Sequence, residues 1–194
     1  MQQKTMTTRK IVMTGLLAAL TVAGSAIRIT LPIDIAGTTS FHLGNIMCAL
    51  SGILLGPWWG GAAAGLGSAI YDMLNPLYIS ECWITFIMKG AYGIMAGLIA
   101  RSGTGRWNTH VKLAYFRAIL ASIAGALSYA ILYLSKSYFY SGLLLHGLTH
   151  EAAMITVVTK LPATVFNAAI AVIGAPLLAM AISKALEKAR LTLE

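Results

Sequence analysis

Charge is what this chain has least of. Only 10% of its 194 residues are Asp, Glu, Lys or Arg, and just six are acidic. Soluble domains carry about a quarter charged residues. With 58% hydrophobic residues and a mean hydropathy of +0.77, the composition excludes an ordinary soluble domain and points to lipid as the solvent. Cysteine is scarce too: Cys48 lies inside an apolar run and Cys82 in a connection, which excludes a disulfide framework. The chain has no G-x-x-x-x-G-K-[ST] loop to cradle ATP phosphates. The glycine-containing "RSGTGRWNTH" at 101–110 lacks that spacing and reads as a turn.

What is present is apolar sequence in helix-length blocks. A membrane-spanning helix needs about 20 mostly apolar residues. Six such segments use almost all of the chain, near 11–29, 42–56, 58–74, 83–100, 113–135 and 153–183. The expectation is an all-α integral membrane protein, one domain over 1–194, with no separate soluble module. The first segment has the look of a signal peptide, with basic residues, "IVMTGLLAALTV" and then "AGSA". It is read as a retained span, because it completes an even number.

The net charge of +8 is distributed as orientation information, not as a nucleic-acid patch. Lys4, Arg9 and Lys10 precede span one. Arg101, Arg106, Lys112 and Arg117 flank the connection between spans four and five, and Lys184, Lys188 and Arg190 follow span six. With six spans these regions share one side, and they hold ten of the fourteen basic residues. The positive-inside rule then predicts both termini in the cytoplasm. The opposite loops, near 30–41, 75–82 and 136–152, carry Asp34, Glu81 and Glu151.

Glycine is abundant and uneven, with fifteen of nineteen in the first 105 residues. Helices in lipid associate by close packing, which small residues four apart permit. In "GPWWGGAAAGLGSAIYD", Gly61, Gly65, Ser68 and Asp72 share one helical face. Gly52 and Gly56 form a similar pair, and "GP" at 56–57 marks a short turn. In helix one, Gly15, Ala19 and Ala23 repeat every four residues. Two readings stand for that face: packing within the chain, or docking with a separate membrane subunit.

Polar residues inside apolar helices are candidate site residues. Asp72 falls about 21 Å along span three at ~1.5 Å per residue, near the outer boundary. It either satisfies loop groups there or contacts a ligand. Lys89 lies roughly 9 Å below the outer surface. Lys160 lies at a similar depth, with Asn167 deeper on the same face. Both lysines are placed to meet an anionic or carbonyl-rich ligand, or else to snorkel to headgroups. Pro162 frees carbonyls beside Lys160. Tyr78, Trp83, Tyr138, Phe139 and Tyr140 gather in the outer connections, as an interfacial belt or as a stacking surface for a flat ligand. In "LLHGLTHEAAM", His146 and His150 are four apart with Glu151 adjacent. They contact a ligand or cap the loop, or are plain surface residues, or make half of a zinc site at most, since the pattern is not H-E-x-x-H and no third ligand motif is evident.

The run "FHLGNIMCALSGILLGPWWGGAAAGLGSAIYD", the six-span size and the Ala19-x-x-x-Ala23 pattern together resemble one family. It is that of the substrate-binding S components of energy-coupling-factor (ECF) vitamin transporters. The resemblance covers the whole chain and is nearest the riboflavin branch, with pyrimidine- or pyridoxine-type precursors as the next substrate candidates. It implies capture of a vitamin from outside at a prokaryotic plasma membrane. It also implies no catalysis and no cofactor, and docking through helix one on a transmembrane coupling subunit powered by two ATPase subunits. By position, "LPIDIAGTTSFH" at 31–42 would be a lid, with Asp34 and His42 as contacts. In the family's nickel and cobalt branch the second residue is histidine. Gln2 stands there instead and argues against a metal substrate. Two other classes compete with this reading. A self-sufficient small-solute carrier would be expected to show internal repeats, which are not evident. A membrane metalloenzyme would use His146, His150 and Glu151.

Overall fold

The computed structural model describes residues 2–34, 37–102 and 111–189, and side chains for 8–30, 39–102 and 114–189. Helix α1 (Gln2–Ala26) is followed by an antiparallel hairpin, β1 (Arg28–Asp34) and β2 (Gly37–His42). Then come α2 (Gly44–Leu55), α3 (Pro57–Met73), α4 (Cys82–Ala100), α5 (Val111–Ser135) and α6 (His150–Lys188). A single 3₁₀ turn, Ile79–Glu81, leads into α4, and a π-helical segment, Lys136–Leu145, extends α5.

The helices fall where the apolar blocks do, with two differences. The first block stops at Ala26 rather than at residue 29, and the following segment pairs as strands. Register puts Arg28 opposite His42 and Thr30 opposite Ser40, with an irregularity between Leu31 and Asp34. The chain is therefore helical with one two-stranded hairpin. The segment read as an outer loop at 136–152 is helical as far as Leu145, and α6 begins at His150. Thr149 starts α6 by accepting a hydrogen bond from the Ala152 amide.

By length and composition four stretches suit a bilayer: 8–26, 79–100, 114–145 and 150–188. Helix α2 has 12 residues and α3 has 17, or about 18 and 25 Å of axis. The shortness of α2 has a packing counterpart. All of its residues except Met47 are buried, so it is the central helix, packed against all five others.

Glycine sets how closely the first four helices approach. A Cβ on Gly52 of α2 would lie 2.4 Å from the Gly93 carbonyl of α4, and one on Gly93 would lie 2.7 Å from the Gly60 carbonyl of α3. Gly61 and Gly65 face α4, while a Cβ on Gly67 would lie 2.4 Å from the Ala18 carbonyl of α1. The spacing rule thus found the α3–α4 face, but α3 has glycine contacts with α1 and α2 as well. At the α2–α3 turn Gly56 takes φ +79°, a left-handed conformation that suits glycine, and Pro57 opens α3.

On α1 the inward face is Thr14, Leu17, Ala18, Thr21, Gly24 and Ser25, a helical stripe of buried residues. Gly15, Ala19 and Ala23 lie on the other side and are exposed. A Cβ on Gly15 would have no neighbour within 4 Å. The intrachain-packing reading of that stripe is therefore overturned. Lys4 precedes the residues whose side chains are described, and Arg106 and Arg190 lie outside the described residues.

Candidate functional site

The hairpin, the ends of α3 and α4, the α5 extension and the first half of α6 enclose a cavity of about 330 Å³. Seven of the candidate polar and aromatic residues singled out from sequence line it: His42, Asp72, Tyr78, Lys89, His146, Lys160 and Asn167. Trp83, His150 and Glu151 do not line it. Trp83 is 55% exposed and meets Tyr140 edge-on at 6.3 Å. His150 Nδ1 lies 2.5 Å from the Tyr138 hydroxyl, and Glu151 is exposed beside it. The backbone of Asp34 ends β1, and its side chain lies outside those described.

Lys89, Lys160, Asp72 and Asn167 are each held by a partner from another element, as burial favours. Lys89, 4% exposed, donates from Nζ to Asn45 Oδ1 on α2, and its ammonium sits 3.7 Å from the Tyr129 ring centroid on α5. Neither lysine snorkels. Lys160, also 4% exposed, donates to Ser137 Oγ at 3.4 Å and stands 5.7 Å from the Tyr133 ring. Tyr129 and Tyr133, one turn apart on α5, stack at 5.6 Å. Asp72 is 8% exposed and hydrogen-bonded with Thr85, with Arg28 and Lys89 as its positive neighbours.

Asn167 spends both ends of its amide on the hairpin. Its Oδ1 accepts from the His42 amide at 3.0 Å, and its Nδ2 donates to the Ser40 carbonyl at 2.8 Å. Phe41 between them packs edge-on against Phe166 of α6 at 4.8 Å. The hairpin is thereby fastened to α6 along one side of the cavity. His42 in turn accepts the Gly44 amide on Nδ1 at 3.1 Å. Burial, with Lys89 and Arg28 adding to it, holds the His42 imidazole well below its usual pKa and therefore neutral.

Sequence reasoning missed four contributors. Arg28 was counted as the end of span one, but it opens β1 and stacks over Tyr71 and Tyr78 at 4.4 and 4.9 Å. Lys136 pairs with Glu81 at 2.5 Å, joining the α5 extension to the turn before α4. Tyr129 and Tyr133 had a usable signal, since tyrosines four apart in an apolar helix share a face. Among the described residues no three His, Cys, Asp or Glu side chains are grouped to hold a metal ion, so the His146–His150 pair gains no third ligand from them.

The cavity thus offers buried cations, a tyrosine wall and hydroxyls. The family profile of the ECF-type riboflavin transporter S component matches residues 5–184. The chain belongs to that family. As an S component it is a membrane-embedded binding subunit of a vitamin-uptake system. The S component is also 31% identical over 124 residues to an uncharacterized protein from the gap 3′ region of Pyrococcus woesei. That match spans 64% of this chain and 74% of the relative.

Proposed function

We propose that this S component captures a vitamin or vitamin precursor in the cavity beneath the hairpin, with riboflavin as the first candidate. The observation that carries the proposal is the convergence of His42, Asp72, Lys89, Lys160 and Asn167 on one cavity from four separate elements. A purely structural polar core would have no reason to leave a volume of about 330 Å³ among those groups. In this reading the chain crosses the plasma membrane of a prokaryote six times with both termini cytoplasmic. The short α2 and α3 cross inside the shell of longer helices. The exposed Gly15–Ala19–Ala23 stripe of α1 docks on a transmembrane coupling subunit, and two ATPase subunits supply the energy.

The test is mass spectrometry of small molecules released from the chain purified alone in detergent. A stoichiometric vitamin-like compound is the expected result. Absence of such a compound, followed by failure of a broad vitamin panel to bind, would overturn the capture role.

A further inference from the structure

The segment that extends α5, Lys136–Leu145, is wound as a π-helix, a rare form that is frequent at functional sites. Its closing bond shows the winding: the His146 amide donates to the Ser141 carbonyl, five residues back, at 3.1 Å. In an α-helix, positions five apart point about 140° away from each other. A π turn closes over five residues instead, so Lys136, Ser141 and His146 come onto one side. All three line the cavity. The stripe runs from the interior to the rim. Lys136 is paired with Glu81 at 2.5 Å, so its inner end is a neutralised ion pair. His146 is exposed and, with Leu145, stands at the rim. Between them Ser141 is 2% exposed, and its Oγ has no hydrogen-bond partner among the described residues. A serine inside a helix can return its hydroxyl to a carbonyl one turn back, as Ser51 and Ser122 do at 2.7 and 2.8 Å. Ser141 does not. A buried hydroxyl left unpaired is costly, and a ligand that bonds to it removes the cost.

We propose that Ser141 is a specificity-determining contact of the site, hydrogen-bonded to a hydroxyl on an uncharged arm of the ligand. This rests on the reading of the cavity as a vitamin site and narrows its chemistry. A serine hydroxyl both donates and accepts, so a ligand hydroxyl, which does the same, complements it in either sense. An anionic arm is disfavoured along this stripe. Lys136 already has its carboxylate in Glu81, and a second anion beside the pair would face that carboxylate. Away from the rim along α5, Tyr133 and Tyr129 continue the lining. The fitting ligand therefore carries its ring toward those tyrosines and a hydroxylated chain along the π-helical stripe toward the rim.

The experiment is calorimetric titration of the full chain in detergent with pairs that differ in hydroxylation. Riboflavin is compared with lumiflavin, which has a methyl group in place of the hydroxylated chain, and pyridoxine with 4-deoxypyridoxine, which lacks one hydroxyl. Ser141→Ala is expected to weaken the more hydroxylated member of a pair by at least about fivefold and the other by less than about twofold. Ser141→Cys, close in size but a weak donor, should behave like Ser141→Ala, which separates hydrogen bonding from volume. Because the hydroxyl makes no bond within the described chain, Ser141→Ala should leave the melting temperature without ligand unchanged or raise it. A lowered melting temperature would make the serine structural and overturns the contact. Unchanged affinity of Ser141→Ala for the more hydroxylated member, or an equal loss for both, overturns it too and leaves vitamin capture standing. Tighter binding of riboflavin 5′-phosphate than of riboflavin overturns the uncharged arm. Binding by none of these compounds overturns the hydroxylated ligand, and the broad vitamin panel then judges capture itself.

Discussion

Asn167 and His42 are 125 positions apart, yet the Asn167 side chain holds the His42 backbone amide at 3.0 Å while its other end grips the Ser40 carbonyl at 2.8 Å. One amide thereby replaces a missing third strand: it satisfies a donor and an acceptor at the open edge of a two-stranded hairpin. It also ties the cavity's cover to the helix that carries Lys160.

Asn167→Asp keeps an acceptor for the His42 amide but turns a second acceptor toward the Ser40 carbonyl. Ligand affinity is expected to fall at least tenfold, about 1.4 kcal/mol. Amide exchange at Ser40–His42 should quicken in parallel. Unchanged exchange would show that the hairpin is held by Phe41 and Phe166 alone.

Acid should loosen the same region. The folded pKa of His42 is lowered, so between about 6.5 and that lower value the unfolded chain binds more protons than the folded one. Stability is therefore full above about pH 6.5 and declines as pH falls through that window. Thermal unfolding in detergent at pH 7.5 and 5.5 measures the slope. His42→Asn, which can still accept the Gly44 amide, is expected to flatten it.

Glycines separate into two classes by what a methyl group would meet. Gly52→Ala drives a carbon against the Gly93 carbonyl and is expected to cost at least about 1–3 kcal/mol, as overpacking does. Gly15→Ala meets nothing within 4 Å and should leave the melting temperature unchanged or raise it. Equal destabilisation by both would contradict the packing described.

Docking and capture are separable on α1. Ala19→Trp with Ala23→Trp enlarges an exposed face opposite the buried stripe, so ligand binding by the isolated chain should be retained. Co-purification with the coupling subunit and its ATPases should be lost. Full complex formation by the double variant would remove this stripe from the interface.

Sequence conveyed the helices well because apolar length is a strong, local signal, and the Gly56–Pro57 break placed the α2–α3 boundary to within a residue or two. It conveyed the hairpin poorly. "RITLPID" and "GTTSFH" are short, and strands of this kind are fixed by partners such as Asn167 and Phe166 more than 120 residues away. The buried lysines were legible because a charge within an apolar helix is conspicuous. Arg28 and Lys136 were not, because each sits at the end of such a helix, where a basic residue is ordinary. His150 and Glu151 looked like site residues from their spacing alone. The turn that starts α6 leaves them exposed, with His150 against Tyr138.

The glycine contacts have a consequence for how such a protein can change. Between α2, α3 and α4, backbone touches backbone, so nearly any added atom must displace a helix. On α5 and α6 only Gly125 is that tightly placed, against Tyr92. Those two helices, with the segment joining them, also supply Tyr129, Tyr133, Ser141 and Lys160. The chain thus divides into a part that hardly admits substitution and a part that admits it beside the cavity. New specificities would arise by editing the second half while the first remains a fixed chassis.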